Sequence, residues 1–436
     1  MPAHKLQESI QSSVPRIAVI GGGIVGLVLA LGGIQVDVYE QSSGFREIGA
    51  GVAFTANAIK CMGLIDSNIV DAFRAVATPN GDPNESTDYL QWIDGFHEGG
   101  KLLFRLDAGY KGFEGCHRAH LLEELSKRID HKQVHFRKRL ASLVETDAHV
   151  VLEFEDGSTA EADAVIGCDG IKSTVRRLLL GSEDPAAHPY FSHKVAYRAL
   201  VPMERAEKAL GRHIARRQHM HVGPGAHMLH FPLANQTMLN IVAFADEPAD
   251  WPHGSQNMVT SGTRQEVEAT FARWGSTCRT LASLLPPQLE KWAVFDAYDH
   301  PLSSYAKGRV CLAGDAAHAS APHHGAGAGM GIEDALALCA LLEPALKSSS
   351  RLQSGWGASI AHAFSVYSTV RQPRSQWLVR SSREVCDIYE WKYPGTGTDM
   401  SKCLEEITYR SHKLWYFDIE GMLADLRRLQ ESGTQE

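Results

Sequence analysis

The stretch Ile17-Ala18-Val19-Ile20-Gly21-Gly22-Gly23-Ile24-Val25-Gly26 decides the fold. An apolar run enters G-x-G-x-x-G, with its glycines at Gly21, Gly23 and Gly26. A second apolar run, Val36-Asp37-Val38-Tyr39, ends in Glu40. This order predicts a strand, a tight glycine turn, a helix and a second strand. Such a unit holds a nucleotide pyrophosphate in one place. The turn lets phosphate approach bare backbone, and the helix N-terminus offers free N–H groups and a partial positive charge. An acid ending the second strand accepts hydrogen bonds from a ribose. The glycines alone would also suit an ordinary turn in an α/β protein. The strand before them and the acid after them favour a dinucleotide site.

The spacing is short. Between Gly26 and Glu40 lie 13 residues, where the acid usually falls roughly 20 residues from the motif. The helix is therefore predicted from Ile24 to Leu31, stopping at Gly32-Gly33. That is about two turns rather than the usual three.

Two later junctions repeat the logic. Cys168-Asp169-Gly170-Ile171-Lys172-Ser173 follows the apolar run Ala164–Gly167, and Ala313-Gly314-Asp315-Ala316-Ala317-His318 follows Arg309–Leu312. Pro322-His323-His324-Gly325-Ala326-Gly327-Ala328-Gly329 then leads to a helix predicted to begin near Gly331. In an open parallel sheet, ligands bind outside the carboxyl ends of the strands, where all three turns would point.

The remaining patterns set the organisation. Residues 1–15 read as a disordered lead-in, residues 46–60 hold another glycine-rich turn, and residues 78–88 are a loop. A helix is expected over residues 119–130, and alternation over 133–166 with a hairpin signal at Asp156-Gly157. Residues 183–295 read as a mostly antiparallel sheet, with strands at Lys194–Val201, His227–Pro232 and Met238–Phe244 and an amphipathic segment at Arg264–Trp274. After Gly331 the chain reads as helical, apart from a Gly/Thr-rich loop near Pro394–Thr398.

Bulk composition excludes some functions. A chain of 436 residues implies two or three domains. Its net charge of −8 provides no global field for nucleic acid. Arg137-Lys138-Arg139 reads as a solvated loop or helix end. The eight cysteines form no C-x-x-C pair and lie mostly in apolar surroundings, so they read as reduced core residues. No metal is expected, and the adjacent pair His323-His324 is not read as a ligand set. No apolar run approaches 18 residues and the first 15 are polar, so no membrane span or signal peptide is expected. The expected location is the cytoplasm.

GGGIVG…YE, CDGIKS and AGDAAH, in this order, resemble the flavin-dependent aromatic hydroxylases of the para-hydroxybenzoate and salicylate hydroxylase type. FREIGAGVAFTANA, YLQWIDGFHE, GFEGCHRA, HKVAYRAL, YDHP and PHHGAGAG are similar to the fungal polyketide-pathway members that dearomatise phenols in tropolone, sorbicillinoid and azaphilone biosynthesis. The resemblance implies an α/β fold: a Rossmann-like FAD-binding domain over 16–182 and 296–345, an inserted, mostly antiparallel β-sheet substrate domain over 183–295, and a helical C-terminal region over 346–436. It implies that Gly21, Gly23 and Gly26 hold the FAD pyrophosphate, that Glu40 holds the adenosine ribose, and that Ala53 and Arg118 touch FAD. Asp315 would bind the ribityl chain, Ala328 would sit in the glycine turn beside the flavin ring, and Asp169 would serve FAD and NADPH. A helix N-cap is an equally plain role for Asp169.

The resemblance further implies that NADPH reduces FAD and that O₂ adds at flavin C4a to give an electrophilic distal oxygen. Arg198 would hold the substrate as its phenolate, since a fixed cation lowers a phenol pKa. The expected partners are a small phenolic polyketide and O₂, with a homodimer left open. Phe231 falls where the tropolone-pathway member has a tyrosine, so it is expected as a pocket wall. Tyr197 and His230 are the nearby polar candidates to replace that hydroxyl. The first helix also departs from the family by about four residues, close to one turn of ~3.6. Either the fold accommodates that loss or the sequence carries a splicing gap.

Overall fold

The computed structural model describes residues 15–45, 51–78, 88–107, 114–252, 254, 257–347 and 356–432. The lead-in over 1–14, Arg46–Ala50 and the loop over 79–87 lie outside them.

The glycine motif builds as its sequence dictates. Ile17–Ile20 is a fully buried strand that pairs in parallel with Val36–Glu40 on one side and Ala164–Gly167 on the other. The sheet continues to Val134–Phe136 beyond Val36–Glu40, and to Val310–Leu312 beyond Ala164–Gly167, all in parallel. Ala306–Lys307 closes that edge antiparallel. A parallel sheet covered on both faces needs apolar residues at successive positions, which these short runs supply. A separate antiparallel layer joins Leu140–Glu145, Val150–Phe154 and Thr159–Ala162, with Gly157 at φ +81° in the expected hairpin.

The first helix spans Ile24–Leu31 and ends where Gly32 N–H bonds Leu29 O at 3.0 Å. Gly32-Gly33-Ile34-Gln35 carry the chain to the second strand, and Ile34 is buried on the way. A side chain at Gly32 would collide with Cys339 Sγ on the helix Gly327–Lys347. The short helix therefore ends in close contact with its neighbour.

The second sheet has eight strands, in the order Val259–Thr263, Gln288–Asp296, Tyr190–Pro202, Met238–Asp246, Ala226–Leu233, His219–Gly223, Asp88–Asp94 and Leu102–Asp107. Every neighbouring pair is antiparallel except His219–Gly223 with Asp88–Asp94. The last two strands come from within the stretch 16–182 assigned to the FAD-binding domain. That boundary needs correction, because the sheet grows by pairing across a long interval of chain. One face of the sheet packs against helices Met203–Leu210, Arg264–Thr270 and Ser276–Leu284 through Val195, Tyr197, Ile241, Val267 and Leu281. C-terminal to residue 356 the chain forms helices Gly357–Tyr389, Met400–Trp415 and Ile419–Ser432. The loop near Pro394–Thr398 separates the first two.

Under the helix-covered face lies a chain of buried imidazoles. His221 Nε2 and His230 Nδ1 are 3.2 Å apart, His230 Nε2 donates to Ile214 O at 3.1 Å, and His219 Nε2 meets Gln91 Oε1 at 3.2 Å. Burial pushes all three well below the ordinary value near 6.5, His230 to about 4, with neighbouring imidazoles adding to the effect on His219 and His221. The folded state holds them neutral while the unfolded chain protonates. Their contribution is therefore complete above pH 6.5 and is lost as the pH falls toward 4. Within that window each costs up to about 1.4 kcal/mol per pH unit. The urea midpoint is expected to fall steadily from pH 7 to pH 5, and less steeply in His230→Gln. A midpoint flat over that range would contradict this.

Candidate active site

The three strand-to-turn junctions meet. Gly21 sits at φ +108°, and a Cβ there would lie 2.5 Å from Cys168 O and 2.9 Å from Asp169 Cα. Cys168 N–H in turn bonds Ile20 O at 2.7 Å. A Cβ at Gly314 would lie 3.0 Å from Val25 Cγ2, and one at Gly331 would lie 2.5 Å from the same atom. A Cβ at Gly327 would stand 3.9 Å from Asp315 Oδ1. The first helix is thus clasped between the turn that carries Asp315 and the glycine-rich helix Gly327–Lys347. Glycine is required at these contacts because backbone approaches its neighbours too closely for a side chain.

A cleft of about 760 Å³ opens at this junction, lined by Gly21, Gly23, Glu40, Arg118 and Asp169 together with Lys138, Arg139, Lys172 and Arg177. Glu40 Oε2 accepts from Gly22 N–H at 2.7 Å and Oε1 from Ser42 N–H at 2.7 Å. Ser42 Oγ–H also donates to Oε1 at 2.5 Å, and Oε2 keeps a lone pair for a ribose. Gly23 caps the first helix without a side-chain bond, leaving the N-terminal N–H groups to the cleft, and Arg118 Nη2 stands 3.7 Å from a Cβ built on Gly23. Gly26 packs directly on Gly21 O, where any side chain would collide. Bare backbone, helix N-terminus, a guanidinium and an acid at the second strand suit a dinucleotide with an anionic middle. The residues present fit FAD.

Several expectations need refinement. Asp169 braces the start of the helix Thr174–Leu180, whose N-cap is Ser173 rather than Asp169: it accepts from Thr174 N–H at 2.6 Å, Val175 N–H at 3.1 Å and Ser173 Oγ–H at 2.5 Å. Burial raises its pKa, opposed by those bonds. Asp315 is exposed, at the start of the short helix Asp315–His318. The glycine-rich helix begins at Gly327, not near Gly331, so Ala328 lies in its first turn rather than in a loop. Gly329 and Gly331 serve close approach to Ala58 and Val25 instead of breaking the helix. Ala53 is buried opposite Gly115 in a two-stranded ribbon and belongs to the same core as Met330. Lys138 and Arg139 line the rim of the cleft; Arg139 is exposed, as expected, while Lys138 is half-buried and its Nζ bonds Asp156 Oδ2 at 2.7 Å.

The other half of the site is the opposite face of the large sheet. Arg198 lies opposite Val242 and Glu290, Val242 opposite Leu229, and Asn240 opposite Phe231. This face packs toward the glycine-rich turn: Ala196, Val242, Phe244 and Val294 form one apolar cluster with Ala321, and the Phe244 and His323 rings are 4.9 Å apart. Phe231 Cε2 lies 3.6 Å from a Cβ built on Gly51 and 3.8 Å from one on Gly115, which makes it a wall against the ribbon. Arg198 is half-buried, and its buried Nε has no hydrogen-bond partner among the described residues. Burial lowers its pKa to about 10, with Glu290 opposing, and it stays charged at neutral pH. Tyr197 and His230 point the other way. Tyr197 OH meets Glu266 Oε1 at 3.4 Å and His230 joins the imidazole chain, so neither replaces a hydroxyl at Phe231.

One supporting cluster has little signature in the sequence. Arg371, Glu333 and Asp334 are fully buried. Arg371 Nε donates to Asp334 Oδ1 at 2.9 Å, Arg371 Nη1 lies 2.9 Å from Glu333 Oε2, and Arg374 Nε donates to Glu333 Oε2 at 2.6 Å. Asp334 Oδ2 also accepts from Gly314 N–H at 3.0 Å and meets His318 Nε2 at 2.5 Å. Burial would push Asp334 up, but His318 and Arg371 outweigh it and hold it well below the carboxylate range. The acids break an otherwise apolar helical run, Ile332-Glu333-Asp334-Ala335-Leu336, which is the one available signal. His227, 3.1 Å from Glu390 Oε1, belongs to a second buried network in which Lys194 supplies the cation.

Comparison with known proteins agrees with this geometry. The model of the FAD binding domain family matches residues 15–356. FAD-dependent monooxygenase eupB of a Phoma species is 48% identical over 95% of this chain and 98% of its own. FAD-dependent monooxygenase pigN of Monascus ruber is 49% identical over 93% and 94%. A solved salicylate hydroxylase in complex with substrate superposes with TM-score 0.83 at 31% identity, covering 95% of this chain and 98% of that one. HpxO of Klebsiella pneumoniae, solved with FAD and uric acid, gives TM-score 0.69 at 26% identity over 94% and 96%. With its three glycine turns gathered together and these similarities along nearly its whole length, the chain belongs to the FAD-binding-domain family and is an FAD-dependent monooxygenase.

Proposed function

We propose that this monooxygenase takes NADPH and O₂ and hydroxylates a phenolic polyketide of the acyl resorcinol type at a ring carbon, dearomatising it, in a fungal azaphilone-like pathway in the cytoplasm. The observation that carries the reading is Arg198: a buried guanidinium nitrogen without a partner among the described residues, on the sheet face that packs toward the glycine-rich turn. When bound, FAD reduced by NADPH supplies with O₂ the electrophilic oxygen. The protein's share is to bind the substrate as a nucleophile. Arg198 lowers the pKa of a phenol beside it and keeps the phenolate oriented. Val242, Leu229 and Phe231 present an apolar wall to the ring. The start of the helix Gly327–Lys347, through Ala328, sets N–H groups and a partial positive charge against an anionic reduced flavin. Asp315 would hold the ribityl chain, and Gly21, Gly23, Gly26, Glu40 and Arg118 would hold the dinucleotide end.

Simple or decarboxylative ring hydroxylation is the second reading, favoured by the similarity to a salicylate hydroxylase at 31% identity. A panel of acyl resorcinols, salicylate among the controls, separates the two by NADPH consumption and product structure. The first reading expects acyl resorcinols to stimulate NADPH oxidation, and those that carry a methyl group on the attacked ring carbon to gain one oxygen there, the carbon becoming tetrahedral. A stable catechol as the sole product would overturn dearomatisation, and flavin without stimulated oxidation would overturn catalysis.

A further inference from the structure

We infer that Asn240 is a substrate-positioning residue, whose side-chain amide donates a hydrogen bond to a carbonyl oxygen ortho to the phenolate held by Arg198. The inference rests on the acyl resorcinol reading above. Asn240 sits on Met238–Asp246, directly opposite Leu200 on one neighbouring strand and Phe231 on the other. Directly opposed residues in an antiparallel pair share a face, with Cβ atoms about 4.5–5.5 Å apart. The amide therefore lies beside the Phe231 ring, which offers no donor of its own, and next on the same face to the Arg198–Val242 row.

Asn240 is 3% exposed, and its Nδ2 has no hydrogen-bond partner among the described residues. A buried amide left unpaired is costly and rare, and it is relieved when a ligand brings an acceptor. It is not alone. His219 pairs with His230, so continuing that register by one residue sets Gln218 opposite Phe231, and the buried Gln218 Oε1 also lacks a partner among the described residues. Three unpaired polar atoms, on Arg198, Asn240 and Gln218, thus occupy neighbouring positions of this face beside Leu229, Phe231 and Val242, while a fourth, His227 Nε2, lies farther along it opposite Phe244. Two donors and one acceptor set among Leu229, Phe231 and Val242 match a ring that carries an ionised oxygen, an adjacent carbonyl and a second, neutral hydroxyl. That is the pattern of a 2,4-dihydroxyaryl aldehyde or ketone.

The test uses the FAD-loaded full chain and two probes, 2,4-dihydroxybenzaldehyde and resorcinol, which lacks the carbonyl. Binding is read from the perturbation of flavin absorbance, alongside product formed per NADPH consumed. Asn240→Leu, with the same number and branching of side-chain heavy atoms and no donor, is expected to weaken the aldehyde at least tenfold and to shift its turnover toward hydrogen peroxide, while resorcinol binding changes less than twofold. Asn240→Asp, which sets a carboxylate beside a phenolate, is expected to weaken the aldehyde further than Asn240→Leu does. Should Asn240→Leu fail to retain FAD, Asn240→Ala, which also lacks a donor, carries the same comparison. Equal effects on both probes, or none on either, would overturn the positioning role and leave the proposed reaction standing. If the unaltered protein binds neither probe, the acyl resorcinol reading fails and this inference falls with it.

Discussion

Arg371→Leu is expected to destabilise the protein by about 3–5 kcal/mol, read as a lowered urea midpoint and loss of bound FAD. The magnitude follows from what the substitution strands. Arg371, Glu333 and Asp334 are all 0% exposed, and the guanidinium lies against both carboxylates. Burial would lower the pKa of Arg371, yet Glu333 and Asp334 outweigh it and push it above its ordinary value. Without it, Glu333 keeps Arg374 and Asn57, while Asp334 keeps His318 and the Gly314 N–H. An uncompensated buried carboxylate must then be desolvated or protonated, and either is expensive. The same cluster ties Gly357–Tyr389 to the glycine-rich helix and to the Asp315 turn, so the loss propagates to the cofactor. Because a buried ion cluster replaced whole by apolar or neutral groups is often near neutral in stability, Arg371→Met combined with Asp334→Asn should lose less than Arg371→Leu alone. A loss below about 1 kcal/mol for Arg371→Leu, within the range typical of exposed pairs, would show that the cluster does not hold these helices together.

Arg198→Gln is expected to retain FAD and to lose about 10²–10³-fold in kcat/KM for an acyl resorcinol, the range for removing one preorganised donor to a developing or resident oxyanion. It should also move the pH dependence. A fixed cation lowers the pKa of the bound phenol, so its removal raises that pKa and shifts the rising limb of the activity profile to higher pH. Arg198→Gln assayed well above neutral should then recover part of its deficit. An arginine that merely buttressed the sheet would lower activity without moving the limb. The position argues for the chemical role: the strand neighbour Glu290 raises the pKa of Arg198 but makes no ion pair with it among the described residues, and the Nε has no partner there either.

The glycines and the alternation of short strands are legible where local chemistry decides. Gly21 needs a positive φ and Gly26 needs to touch Gly21 O, so the turn and the helix Ile24–Leu31 follow from the sequence with both ends correct. The helix starting at Gly327 reads late in the sequence because glycine suggests a breaker, whereas Gly329 and Gly331 are there for packing. Strands Asp88–Asp94 and Leu102–Asp107 escape assignment to the large sheet because the first pairs with His219–Gly223, a distant register with no local signature. Tyr197 and His230 are a different case, since their orientation follows from a rule the sequence already carries. A strand has period two, so neighbours of Arg198 and Phe231 in sequence must face away from them. The buried ion cluster is the least accessible, since Glu333 and Arg371 find each other only once two helices have packed.

The most direct measurement is the structure of the product formed from one acyl resorcinol, with a methyl group on the ring carbon ortho to the phenolate, by the purified, yellow, FAD-bearing protein with NADPH and O₂. The account predicts a substrate-dependent NADPH oxidation and a product heavier by one oxygen atom, with a hydroxyl on a tetrahedral ring carbon. A protein that binds no flavin, or one whose sole product from every phenol is an aromatic catechol, would contradict it.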